Sequence, residues 1–148
     1  MIVERLRELG YDYEPAALEM LTFHTAARIG NLVFTSGQIP SLNGTQIKGK
    51  VGADIDLATA RKAAEICAFN CLRAIGAVAD IEQVERIVKV LGMVNVADGF
   101  DATASVINGC SEFLTKVFDD DGYHARSAVG VVLPNQWAVE VEMVVALK

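Results

Sequence analysis

Two apolar stripes at helical spacing lie between runs of β-forming residues, and this alternation constrains the fold of the chain more than any other feature. The first stripe is Leu57, Ala60, Ala64, Cys67, Cys71, Ile75 and Val78, spaced three or four residues apart. Its small residues suit a helix that sits close on a sheet, with Asp54 expected as the N-cap. The second stripe, Val106, Ile107, Cys110, Phe113, Leu114, Val117 and Phe118, predicts a helix from about Asp101 to Phe118. Asp119-Asp120-Asp121-Gly122 stops it.

The runs around these stripes read as strands. Residues 22–28 and Leu32–Thr35 flank Gly30-Asn31, a hairpin signal. Pro40, Asn43-Gly44, Gly49 and Gly52 mark the next stretch as a loop, with one short strand near residues 46–48. Arg86–Val96 is a strand between the two helices. Arg126–Val132 and Trp137–Ala146 close the chain and are expected to pair as a hairpin across Leu133-Pro134-Asn135-Gln136. A short helix over residues 2–9, ended by Gly10, and a connector precede all of this. The expected organisation is therefore residues 1–20 as helix and connector and residues 21–148 as one α+β domain. In it, both long helices cover one face of a mixed sheet. The other face must be polar or be covered by a partner. In the last strand Val139, Val141, Met143 and Val145 alternate with Glu140, Glu142 and Val144, so one face packs and the other presents two carboxylates.

Composition narrows the function classes. Hydrophobic residues other than glycine make up 52% of the chain, and its mean hydropathy is +0.32; ordinary soluble domains reach ~45–50% with glycine counted. No run approaches the ~18 apolar residues of a membrane span, so the surplus is spread through the elements and points to contact with another chain. A net charge of −6 argues against a nucleic-acid partner. Three cysteines and a charged N-terminus, Met1-Ile2-Val3-Glu4-Arg5-Leu6, without a secretory pattern, imply a reduced, cytoplasmic protein. Cys67 and Cys71 share a helix face and read as small core residues, since a metal site needs two more ligands and His24 and His124 lie in other segments. Both histidines read as surface-turn residues, Trp137 as a packing or interface residue, and Asp119–Asp121 as a solvated helix exit, with no metal site expected.

No P-loop, GxGxxG, HExxH or GxSxG motif occurs. The chemistry-bearing feature is charge set in apolar strands: Arg126 opens one, and Glu140 and Glu142 lie in the next. In an antiparallel pair Arg126 would sit near one of the two acids. A guanidinium at a strand end can hold a small carboxylate through two parallel hydrogen bonds, and a nearby Glu can position a water. The same residues also fit a structural Arg–Glu pair or a solvated sheet face.

Three segments, Thr35-Ser36-Gly37-Gln38-Ile39-Pro40, Ala125-Arg126-Ser127-Ala128-Val129-Gly130-Val131, and Leu133-Pro134 followed by Val139-Glu140-Val141-Glu142, resemble the signatures of the Rid (YjgF) family. This is the reactive-intermediate/imine deaminase family, also labelled endoribonuclease L-PSP. The leading helix and Ile107-Asn108-Gly109 are similar to its YjgF/chorismate-mutase-like, putative endoribonuclease subgroup. The resemblance implies a chorismate-mutase-like fold, a homotrimer whose bare sheet faces pack together, and ligand pockets in the clefts between subunits. It implies that Arg126 binds the carboxylate of a 2-imino acid. Glu140 would position the attacking water, although an Arg-to-Pro spacing one residue shorter than in many relatives leaves Glu142 open. Ser36 and Gly37 would border the pocket, with Asn108 and Gly130 beside it. Phe23 stands where many deaminases carry a Tyr, which keeps the stack and loses the hydroxyl. Ala128 replaces a frequent reactive Cys. The implied reaction is hydrolysis of 2-imino or enamino acids to 2-oxo acids and ammonia, with no cofactor. A non-catalytic small-carboxylate binder or chaperone-like protein is the alternative, and an endoribonuclease or translation inhibitor ranks last.

Overall fold

The computed structural model describes residues 1–20 and 22–148; the expected domain start at Leu21 lies outside the described residues. The chain begins with α1 (Ile2–Glu8), ended at Gly10 with φ +90°. β1 (Ala26–Ile29) and β2 (Leu32–Thr35) form the expected hairpin, Ala26 opposite Thr35, and Gly30 turns it at φ +57°. The following loop holds a second, small hairpin of β3 (Ser41–Leu42) and β4 (Thr45–Gln46) about Asn43-Gly44, both at positive φ as a tight two-residue turn requires. The strand expected at residues 46–48 is thus the second arm of this hairpin plus a single bridge from Lys48 to Trp137.

α2 (Leu57–Ile75) starts two residues later than an Asp54 cap would give. The cap is Asp56, whose Oδ1 accepts from the Thr59 backbone N–H at 2.8 Å. Asp54 instead accepts from the Lys50 N–H at 2.9 Å and closes the preceding turn. Both are acids before an apolar run, and only the path of the loop decides which one meets the free helix N–H groups. β5 (Val84–Asn95), α3 (Thr103–Phe118), β6 (Ala125–Val131) and β7 (Val139–Leu147) complete the fold.

The five-stranded sheet has the order β1-β2-β7-β5-β6. The expected terminal hairpin is therefore corrected. β6 lies parallel to β5, with Arg126 opposite Val90, and β7 runs antiparallel to both β2 and β5. Two facts favour this arrangement. A parallel pair needs a crossover of a dozen residues or more, and α3 provides it between β5 and β6. β7 carries four residues, Val139, Val141, Met143 and Val145, that are at most 2% exposed, so it belongs in the middle of the sheet; β6 tolerates the edge.

α2 and α3 cover one face. Beneath them lie Ile87, Val90 and Val94 of β5 with Val141, Met143 and Val145 of β7. α1 joins the same core through Leu6, and Tyr11 packs its ring 4.7 Å from Phe69 and 5.3 Å from Phe113. Cys67, Cys71 and Cys110 are fully buried; burial pushes the Cys110 thiol up to about 12 and the other two well above the ordinary value. Among the described residues no helix is long and apolar enough to cross a membrane.

α3 and α2 touch at Gly109, where a Cβ would stand 2.1 Å from the Arg61 carbonyl oxygen. Gly109→Ala must push the helices apart, and it is expected to lower stability by about 1–3 kcal/mol in urea unfolding. A thiol reagent at pH 8 is expected to label none of the three cysteines in the native protein and all of them after denaturation.

Candidate functional site

Strand alternation sorts the expected site residues onto two sides of the sheet. On β5, Val90, Gly92 and Val94 face the helices, while Leu91 and Met93 face away. The register carries this across the sheet. Arg126 shares a row with Val90 and Met143 on the covered face; Glu140 shares a row with Met93, and Glu142 with Leu91, on the open face. Arg126 and Glu140 are two strands and three residues apart, roughly 14 Å at ~4.8 Å per strand and ~3.3 Å per residue. The expected closeness of Arg126 to either Glu within one chain is therefore corrected: β5 lies between them.

The first cluster gathers at the edge of the covered face. Arg126 extends from β6 to α3, where its Nη1 donates to Asn108 Oδ1 at 2.8 Å and to Ser111 Oγ at 3.1 Å. Asn108 and Ser111 are i and i+3 on α3, so one helical face presents both. Both anchoring bonds use the same nitrogen. No carboxylate of the described residues forms an ion pair with Arg126. The guanidinium borders a cleft of about 340 Å³ lined also by Glu112, Thr115, Tyr123 and His124.

His124, two residues before Arg126, belongs to this cluster. Its Nδ1 lies 2.6 Å from the Gly122 carbonyl oxygen and its Nε2 lies 3.0 Å from Ser111 Oγ. Burial is the main effect holding it below the usual histidine range, and Arg126 adds to this. Ser111 and His124 were not singled out as site residues from the sequence. Two spacings carried the signal: i, i+3 on α3, and i, i+2 at the entry to an extended strand, which puts His124 and Arg126 on one side.

The second cluster lies on the open side. After β2 the chain runs on beside β7, with Gln38 and Val141 exchanging backbone hydrogen bonds at 2.8 and 3.0 Å. This lays Gly37 against the Glu140 side chain, where a Cβ would stand 2.5 Å from a carboxylate oxygen. Ser36 Oγ donates to the His24 carbonyl at 2.6 Å, next to Phe23, whose side chain is 63% exposed. Ser36, Gly37 and Glu140 therefore form one neighbourhood, with Phe23 next in the chain to the His24 carbonyl that Ser36 meets. Gly130 belongs to neither cluster; it faces Val96 and Thr103 on the covered side.

The open face is apolar around its acids. Phe34 and Val129 are 44% and 41% exposed, and a hollow of about 390 Å³ beside Glu142 is lined by Phe34, Leu91, Ser127 and Val144. Desolvation first, and the like charge of Glu142 second, raise the Glu140 pKa above the ordinary carboxylate value.

The sequence profile of the YjgF/chorismate mutase-like, putative endoribonuclease family matches residues 4–143. The chain is 33% identical to Protein TCP17 of Trypanosoma cruzi over 99% of its own length and 94% of that protein's. It is 36% identical to the solved structure of Atu1372 from Agrobacterium tumefaciens, with a TM-score of 0.90 over 99% of this chain and 92% of that one. It also shares the fold of E. coli TdcF, solved with bound serine, at 23% identity and a TM-score of 0.59 over 90% of this chain and 94% of that one.

The raised Glu140 carboxyl has a consequence for stability. The unfolded chain ionises this group at lower pH than the folded one, so native stability falls as pH rises from the unfolded value through the folded value. Glu140→Gln is therefore expected to raise the melting temperature at pH 7 and to change it much less at pH 4, as checked by paired thermal melts.

Proposed function

The chain belongs to the YjgF/chorismate mutase-like family, and on that premise we propose that it hydrolyses small 2-imino or enamino acids to 2-oxo acids and ammonia. The observation that carries this reading is the state of Arg126. One guanidinium nitrogen is tied to α3, no acid of the described residues pairs with it, and it borders an open cleft. The remaining N–H groups suit a substrate carboxylate. The serine bound to TdcF, a small acid of this kind, agrees with it.

Enamines and imines of 2-oxo acids hydrolyse without help, so the protein has only to hold the acid, admit water and move protons. Glu140 is the proposed water-orienting acid, and its raised pKa suits proton exchange nearer neutrality. Its place on the opposite face makes assembly part of the proposal: a second copy brings Glu140 and the Ser36–Gly37 turn to the Arg126 cleft. The exposed apolar sheet face supports a trimer built on that surface. The separation of Arg126 from Glu140 within one chain also favours a second reading, carboxylate binding without turnover. The endoribonuclease of the family's description is the least supported, because a net charge of −6 repels an RNA backbone.

Ammonia release from freshly generated 2-iminopropionate decides among these. Wild-type protein is expected to exceed buffer, and Arg126→Ala to lose about 30-fold or more in kcat/KM, the equivalent of ~2 kcal/mol for one partner of a charged pair, with assembly intact by light scattering. Saturable pyruvate binding with no ammonia release above buffer would establish the binding reading instead.

A further inference from the structure

The cleft at Arg126 contains a second chemical device. The Gly122 carbonyl can only accept, so the His124 nitrogen facing it, Nδ1, carries the proton. In the neutral ring Nε2 is then an acceptor, aimed at Ser111 Oγ 3.0 Å away, and the Ser111 hydroxyl donates to it. Ser111 Oγ in turn accepts from Arg126 Nη1 at 3.1 Å. A hydroxyl is thus held between a base and the guanidinium, with the base oriented by a third group, which is the arrangement that activates hydroxyls in enzymes. We propose that Ser111 and His124 form a proton relay that serves the substrate held by Arg126, with Ser111 Oγ as the group at the reacting atoms and His124 as the base behind it. The inference rests on the small-acid reading of Arg126 and differs from it in placing the base within the same chain.

The relay balances as follows. The imine enters as the iminium cation and water adds to C2, forming the C–O bond. The proton lost by that water passes to Ser111 Oγ as the hydroxyl's own proton passes to His124 Nε2, and a neutral carbinolamine results. The proton then returns by the same path to the amine nitrogen. The C–N bond breaks with its electron pair leaving on ammonia, and the hydroxyl oxygen becomes the carbonyl. Its proton goes to the departing ammonia as ammonium. The charged and titratable groups lining the cleft with His124 are Arg126 on β6, Glu112 on α3, which is paired with Arg61 at 2.6 Å, and the neighbouring Tyr123. Burial and the Arg126 charge keep the ring neutral, and therefore able to accept, at neutral pH.

The test combines Ser111→Ala and His124→Gln with ammonia release between pH 5 and 8 and with pyruvate binding by calorimetry. Each variant is expected to lose about 100-fold in kcat while binding pyruvate within threefold of wild type. The rising limb of the wild-type pH profile, placed below the ordinary histidine value, is expected to vanish in His124→Gln. Retention of rate and profile in both variants, with Arg126→Ala inactive, overturns the relay and leaves the deaminase reading standing. Equal losses of rate and pyruvate affinity also overturn it, since the pair would then only prop Arg126. Should a variant fail to fold, NMR titration of the two histidines in wild-type protein decides. Saturating pyruvate is expected to raise the His124 midpoint, as its carboxylate offsets the Arg126 charge; an unmoved His124 overturns the relay. Wild-type protein that binds no pyruvate, or releases no ammonia above buffer, overturns the parent reading and the relay with it.

Discussion

At Gly109 the backbones of the two long helices meet directly, and the geometry of the Arg126 cleft depends on that contact. Because residue 109 has no side chain, α3 sits down on the Arg61 carbonyl of α2 and sinks Val106, Ile107, Cys110, Phe113 and Leu114 into the core. That rotation leaves Asn108 and Ser111 pointing along the sheet edge, where β6 delivers Arg126. A helix held further out would bring neither the amide nor the hydroxyl within hydrogen-bond range. The small residues of α2, Ala60, Ala63, Ala64 and Ala68 among them, serve the same close packing from the other side.

The sheet acts as a partition. Its alternating side chains send Arg126 to the helix side and both glutamates to the open side, and β5 stands between their strands. One chain therefore holds two separate polar clusters. One has a cation, an amide and a Ser–His pair; the other has a glutamate whose pKa is raised by desolvation and by its neighbour Glu142. An exposed apolar surface surrounds the second cluster. The over-apolar composition thus has a concrete location in Phe34, Leu91, Val129 and Val144.

Local signals were legible where the deciding physics is local. The Gly30-Asn31 turn, the two helical stripes, the buried cysteines and the alternation in β7 all follow from spacing and residue type. Errors arose where two local solutions compete. Asp54 and Asp56 are both good caps, and the loop path chose the second. Adjacent strands usually pair, but here a long helical crossover set β6 beside β5, and the demand for burial drew β7 to the middle. His124 looks like a turn histidine in sequence because its partner, Ser111, is 13 residues away on another element.

The amino-acid sequence alone determined an α+β chain with one covered sheet face, and it singled out Arg126 as a charge that needs a partner. Period, propensity and charge are properties of neighbours along the chain, and they suffice for that much. Only the tertiary structure decided which groups that charge meets, because strand order and helix–helix approach bring together residues that no spacing rule connects. Arg126 turned from the acids of β7 to Asn108 and Ser111, and a histidine at a turn came within hydrogen-bond distance of that same serine.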